Sequence, residues 1–524
     1  MKRRDFLRYS LPPVAAAMVG KIPVQAMGLE SPILRSLIPT VDETDHVLVL
    51  VQLIGGNDGL NTVIPIDTYS TYQAARSNLA IPENKILSLN GVTKSGLHPS
   101  MTGIQSLFND GKAAIIQGVG YPQPDFSHFR STDIWMSGSD SDEYIYTGWI
   151  GRYLETQYPG FPLDYPNTSM PDPIGIQIGS VTSLTFQGPL VSMGMTISNP
   201  SRAYNLVGSL EDVVPNSPAG DELTFVRTIS RQSQEYTHIV KDAALSITQQ
   251  STYPANNELA DKLKIVAQLI AGGLKTRVYV VSMTGFDTHS SQVNQSDTTT
   301  GTHANLIGKV SDAIKAFMDD LKFLGINKRV LGMTFSEFGR RIKSNSSLGC
   351  DHGAAAPMIL FGDYVNPGLF GTNPELPGNA TIYDNIPMQY DYRSVYASVL
   401  ERWFCVDETT LQTVLLKNYQ SLPLIKGAPC SSTLPELENN GLIKNYPNPF
   451  VDSTKIIFKT DGGHTSVMIM DTMGRVIKTL VDQNYTVPGQ YTIQFNGERL
   501  ATGVYYARLQ NGVKQEVRSM LKVR

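Results

Sequence analysis

Two short motifs, Asp287-Thr288-His289 and Asp351-His352-Gly353, each set a carboxylate beside an imidazole. Those are the donors that divalent ions take from proteins: zinc accepts both kinds, and harder ions prefer the carboxylates. A third acid, Asp58, stands in the turn Gly55-Gly56-Asn57-Asp58-Gly59. Asp58, Asp287, His289, Asp351 and His352 are therefore candidate ligands for one or two divalent ions, with Zn, Mn, Mg and Ca all open. The chemistry such a set serves is metal-assisted hydrolysis, which also asks for a nucleophile, an acid or base and an anion clamp. Ser127 precedes a helix predicted over Arg130–Met136. A hydroxyl there faces the positive end of the helix dipole and could attack a phosphate or sulfate, or could serve only as an N-cap. Glu337 and Arg340, in Ser336-Glu337-Phe338-Gly339-Arg340-Arg341, fit a ligand or general base and a clamp on an anionic oxygen. An ion-paired helix start is the alternative for both.

Each motif needs an element to carry it. His46–Ile54, Lys112–Gly118, Arg277–Met283 and Arg329–Phe335 are apolar runs of the length of strands buried on both faces. The acids follow the first, third and fourth of them, so one sheet edge would collect them. Thr302–Leu324 carries Leu306, Val310, Ile314, Phe317 and Leu321, a helical stripe. Ser394–Phe404 reads as a further helix, opened by Asp391-Tyr392-Arg393. Strands alternating with helices predict an α/β domain whose mostly parallel sheet is flanked by helices. The Pro-, Gly- and Ser-rich stretch 158–217 reads as a surface insertion or cap.

The pattern changes after Leu424. Residues 425–444 read as a linker, and short β-branched and aromatic runs follow at Thr454–Phe458, Ser466–Met470, Tyr491–Phe495 and Val504–Gln510. They predict a small β-sandwich over 445–524, after an α/β domain over 45–424. The N-terminus reads as an address. Lys2-Arg3-Arg4-Asp5-Phe6-Leu7, a weakly apolar stretch and Val24-Gln25-Ala26 occur in the order of a twin-arginine export signal over 1–26. That implies the twin-arginine machinery as a partner. No later stretch is apolar for long enough to cross a bilayer, so no transmembrane helix is expected in the mature protein. A formal net charge of -4 gives no electrostatic reason to expect nucleic acid. With only Cys350, Cys405 and Cys430, a disulfide framework is excluded; Cys405 and Cys430 pairing, or three free thiols, both remain open.

Tyr446-Pro447-Asn448-Pro449-Phe450, Asp471-Thr472-Met473-Gly474-Arg475, Gly503-Val504-Tyr505-Tyr506-Ala507-Arg508-Leu509 and the basic closing strand resemble the sorting domain of type IX secretion substrates. The resemblance implies the type IX machinery as a partner through 445–524, and display at the cell surface or secretion. Upstream, Gly55-Gly56-Asn57-Asp58-Gly59-Leu60-Asn61, Ser127-His128-Phe129, Gly285-Phe286-Asp287-Thr288-His289, Ser336-Glu337-Phe338-Gly339-Arg340 and Asp351-His352-Gly353 occur in that order. Together they resemble the domain-of-unknown-function 1501 family, exported proteins related to alkaline phosphatases and sulfatases. That resemblance implies an alkaline-phosphatase-like fold with a two-metal site at the carboxyl edge of its sheet. It implies Asp58 as a ligand from the first strand and Ser127 as nucleophile. Asp287 with His289 would serve one ion and Asp351 with His352 the other. Only His464 follows His352, and it lies in the sorting domain, so one ion is as open as two. The expected activity is hydrolysis of phosphate or sulfate esters, with an anionic small molecule or polymer as substrate. A surface binding or assembly protein that keeps the fold without catalysis is the competing reading.

Overall fold

The apolar run around Val49 is buried throughout because it has a neighbour on each edge and helices on each face. Strand Val47–Leu53 pairs in parallel with Val278–Met283 on one side and with Val330–Phe335 on the other. Its residues alternate between two cores. Leu48 and Leu50 join one, and Val47, Val49, Val51 and Leu53 the other, as a two-residue side-chain period requires. The computed structural model describes residues 45–200 and 218–426, most of 442–523, and a strand pair, Ala17–Val19 with Ile22–Val24. The paired arginines of the expected export signal, Gln25 and Ala26 of its cleavage pattern, and Cys430 lie outside the described residues.

The sheet has nine strands. In order they are Gly368–Phe370, Ala113–Gly120, Ala356–Gly362, Val330–Phe335, Val47–Leu53, Val278–Met283, Gly175–Ile178 and Met195–Ile197, with Tyr390–Asp391 beside Ala113–Gly120. Ala356–Gly362 runs antiparallel to both neighbours and every other pairing is parallel. The expected mostly parallel α/β sheet is present. One difference lies in the stretch expected to be a surface cap: Gly175–Ile178 and Met195–Ile197 extend the edge of the main sheet. Gly and Pro around them hide short strands that are held by their neighbour more than by their own pattern.

One core packs helices His128–Ser137, Trp149–Gln157, Tyr392–Arg402 and Glu408–Leu415 on the sheet. The other packs Thr102–Asn109, Glu258–Ala271 and Thr302–Phe323. No described helix is long and apolar enough to cross a membrane. Cys350 is a buried free thiol and Cys405 is disulfide-bonded.

The C-terminal sandwich stacks a three-stranded sheet (Ile443–Tyr446, Ser453–Thr460, Gly489–Asn496) on a four-stranded one (Val476–Tyr485, Gly463–Met470, Gly503–Asn511, Lys514–Lys522). It is seated on the α/β domain. Val487 is part of the core under Tyr392–Arg402, Gln483 donates to Gln420 at 3.1 Å, and Thr486 donates to the Tyr390 hydroxyl at 3.4 Å.

Candidate metal centre

Three of the parallel strands end in register, Leu53 beside Met283 and Gln52 beside Phe335, so the loops after them leave from one edge. That edge is where open α/β sheets build their sites. The first loop passes directly against the second. Gly55 has φ +124°, and a Cβ there would sit 2.3 Å from the backbone nitrogen of Asp287. Only glycine allows that approach. The third loop pairs with the segment after Cys350: Arg341 N–H donates to the Asp351 carbonyl at 3.0 Å and Gly353 N–H to the Gly339 carbonyl at 2.8 Å.

Arg340 ties these loops together. It is fully buried, and its guanidinium donates to the carbonyls of Gly56 at 2.9 Å, Cys350 at 2.8 Å, Phe286 at 3.1 Å and also Gly55. It donates to Asp287 Oδ1 at 2.7 Å as well. The side chain expected to clamp a substrate oxygen thus holds backbone and Asp287, and it acts as a positioning residue. Glu337 is equally buried and accepts from the Gly55 N–H and from His128 Nδ1, each at 2.8 Å.

Three imidazoles converge on Asp287. His128 Nε2 lies 3.5 Å from Oδ2; His289 Nε2 and His352 Nε2 lie 3.2 and 3.3 Å from Oδ1. In each ring the other nitrogen faces an oxygen acceptor: Glu337 for His128, Asp351 at 2.9 Å for His289, and the Phe126 carbonyl at 2.7 Å for His352. An acceptor oxygen at Nδ1 selects the tautomer with the proton there, in which Nε2 is the nitrogen that presents a lone pair to an ion. Carboxylate or carbonyl behind imidazole is how metal-binding histidines are oriented. The ligand atoms of His128, Asp287 and His352 lie within 4.8 Å of one another, a spread that a shared ion with bonds of about 2 Å would draw together.

The electrostatics agree. Burial works against the charge of Asp287, but the Arg340 guanidinium, with His352 and His289, holds its carboxyl down at about 2. The His289 hydrogen bond holds the Asp351 carboxyl low despite partial burial. Burial lowers His352, only partly offset by the Phe126 carbonyl, which favours the neutral ring a metal needs.

The structure therefore brings together Asp287, His289, Asp351 and His352, and adds His128, which stands next to Ser127 in the sequence without being marked as a ligand. Asp58 stands apart. It is fully buried, accepts from Arg76 at 2.7 and 2.9 Å and from Gln292 at 2.6 Å, and has no place in the His128–Asp287–His352 group. Burial opposes its charge, yet Arg76 keeps the carboxyl low. Arg76 in turn donates to the carbonyls of Arg341 at 2.7 Å and Ile342 at 3.1 Å, so the pair braces the loop that carries Arg340. Ser127 is exposed and caps helix His128–Ser137 without a side-chain bond. Its hydroxyl has no partner among the described residues, while the flanking Phe126 and His128 are both bound into the cluster. A cleft of about 400 Å³ opens beside Gly55, His128, Asp287 and Glu337.

The family described as "protein of unknown function (DUF1501)" has a model that matches residues 222–415. Over that stretch the chain is similar to the family. The DUF1501 region carries Asp287, His289, Glu337, Arg340, Asp351 and His352, while Asp58, Ser127 and His128 lie ahead of it. A second model, for a secretion system C-terminal sorting domain, matches 444–523. The chain therefore carries the tail of proteins exported to the cell surface or secreted, with a secretion machinery as partner. No curated protein matches the chain. Solved structures with a similar chain path include one described under metabolism of multiple glycosaminoglycans by Bacteroides thetaiotaomicron (8% identity, 87% of this chain and 90% of that one, TM-score 0.34). Others are an alkaline phosphatase superfamily protein from Vibrio parahaemolyticus (10%, 93% and 87%, 0.31) and a phosphonate monoester hydrolase from Silicibacter pomeroyi (9%, 91% and 89%, 0.32).

Proposed function

We propose that the chain is an exported, metal-dependent hydrolase of phosphate or sulfate esters. The observation that carries this reading is the convergence of three Nε2 lone pairs on Asp287, each ring oriented by an oxygen at Nδ1. His128, Asp287, His289 and His352 would hold the ion, with Glu337 and Asp351 orienting two of the rings. A nitrogen-rich set with one carboxylate suits zinc ahead of Mn, Mg or Ca. A bound divalent ion would supply Lewis-acid polarisation of an ester oxygen. Ser127 offers an unengaged hydroxyl at the start of a ten-residue helix. Its Oγ would form a bond to phosphorus or sulfur as the ester's alcohol leaves with the serine proton; water would then release the acid and restore the hydroxyl. Arg340 contributes by fixing Asp287, and Asp58 by bracing the Arg340 loop.

Loading in the cytoplasm before twin-arginine export of the folded chain belongs to the same reading. A non-catalytic surface protein is favoured by one observation, the commitment of Arg340 to backbone carbonyls, which removes it as an anion clamp. Elemental analysis of the purified chain, with aryl phosphate and aryl sulfate assays, decides between them. About one ion per chain and turnover lost in Ser127→Ala is the expected result. An ion without turnover favours the binding protein, and neither ion nor turnover overturns the hydrolase.

A further inference from the structure

Beyond the candidate ligands, the cleft has a further wall of three side chains. Phe129, Thr132 and Asp133 line it from one face of helix His128–Ser137, at the spacing that brings side chains side by side. Phe129 is 87% exposed, which exceeds what an isolated large apolar side chain needs for packing and leaves its ring face open. Asp133 is exposed and has no hydrogen bond or ion pair among the described residues, and partial burial raises its carboxyl. The Arg130 guanidinium, one turn earlier, acts on Asp133 only through its charge. It is turned beneath the Tyr144 ring at 4.1 Å and donates to the carbonyls of Asp140, Ser141 and Glu143 at 3.1, 3.0 and 2.5 Å.

The lining holds three carboxylates, Asp133, Asp287 and Glu337, and neither a lysine nor an arginine. Asp287 is paired with Arg340 and Glu337 with His128, so Asp133 is the lining carboxylate left without a partner, and it disfavours a second negative charge beside it. An open aromatic face and an unpaired carboxylate one turn apart are the two groups that together recognise an organic cation. The volume, about 400 Å³, suits a small molecule.

We propose that Phe129, Thr132 and Asp133 form the seat for the alcohol half of the ester, and that this seat selects small alcohols bearing an ammonium group. Asp133 pairs with the cation, Phe129 lies against its alkyl groups, and Thr132 meets the hydroxyl side. The reaction rests on the hydrolase reading; the binding preference does not.

The test therefore reads binding first. Choline and its uncharged isostere 3,3-dimethyl-1-butanol are titrated against the full chain by ligand-observed NMR, with glycerate as the anionic probe. Choline is expected to bind at least about tenfold tighter than the isostere, the ratio that roughly 1.4 kcal/mol of cation recognition gives; glycerate is expected not to bind. Asp133→Asn should remove the preference with an unchanged melting temperature, and Phe129→Ala should weaken both alcohols. Equal binding of choline and the isostere, no saturable choline binding, or a preference that survives Asp133→Asn overturns the proposal. Phosphocholine and 3-phosphoglycerate are then compared as substrates. Choline binding as expected with neither ester cleaved sinks the hydrolase and leaves the seat standing; equal cleavage of both esters sinks the seat and leaves the hydrolase.

Discussion

The Nε2 atoms of His289 and His352 face each other at 2.9 Å although both rings have their Nδ1 protons directed at oxygens elsewhere. Two lone pairs at that distance repel unless a proton or a cation lies between them. A divalent ion that binds only the folded chain stabilises it by about 4 kcal/mol at a thousandfold excess over its dissociation constant. Stripping the protein with a chelator should lower its melting temperature, and zinc should restore it. His289→Ala and His352→Ala should each lose both the ion and the zinc-dependent part of the shift, read by scanning calorimetry beside elemental analysis. A melting temperature indifferent to chelator and zinc would remove the ion from the site.

Ser127 separates chemistry from scaffolding. Because its hydroxyl makes no cap bond, Ser127→Ala should change stability by less than about 1 kcal/mol, below the usual cost of a lost N-cap. Ester turnover should fall by at least about two orders of magnitude if the hydroxyl is the nucleophile, while bound metal stays constant. Retained turnover in a metal-loaded variant would move the nucleophile to water.

Asp58 and Arg76 form a pair with both side chains at 0% exposure. Removing one partner leaves a buried charge without its counterpart, which costs about 3–5 kcal/mol. Asp58→Asn should lower the urea midpoint accordingly, yet keep its full metal content in the folded fraction. Loss of the ion at unchanged stability would make Asp58 a ligand after all.

Asp287, His289, Asp351 and His352 are legible in the sequence because each lies just past a strand or in the segment paired with the loop after one. Parallel register then delivers those loops to one edge. His128 was not legible as a ligand: the acid that orients it, Glu337, is 209 residues away, and nothing local marks an imidazole with a buried carboxylate behind it. Asp58 follows the same strand-end rule as Asp287, but Arg76 turns it inward. The signal that separates them sits 18 residues on, at the end of a short helix whose pattern looks like surface. In the sandwich, Val476–Tyr485 escapes the alternation rule because most of its side chains are exposed. Its place is set by pairing with Gly463–Met470.

Two buried histidines set an acid limit. Burial pushes His98 down to about 3, helped by His303, with Asp58 opposing. Burial pushes His303 down to about 4, with Asp58 opposing and Arg76 and Arg340 helping. Both folded values lie below the ordinary 6.5 of the unfolded chain, so the unfolded chain takes up protons first. Their stability contribution is complete above pH 6.5 and is lost as pH falls from there toward 4 and 3, at up to about 1.4 kcal/mol per pH unit for each group. Urea titrations from pH 7 to 4 should show that slope, and His98→Asn should reduce it. A flat profile would mean that the protonated rings find a hydrogen-bond acceptor or water when folded.

The sandwich is seated on the α/β domain, so a cut in the linker would make breaking the chain and releasing the tail two separate events. Gly489 lies so close to Pro423 that a Cβ would approach it to 2.6 Å, and Val487 belongs to the same core as Leu411 and Leu424. A protease that cuts between 430 and 442, beyond the last cysteine, breaks the chain without breaking that contact. The product would be a nicked pair of fragments held by packing, and the sorting domain would leave only when solvent reaches the apolar surface it covers. Release at the cell surface would then be timed by how fast the two parts come apart, separately from when they are cut.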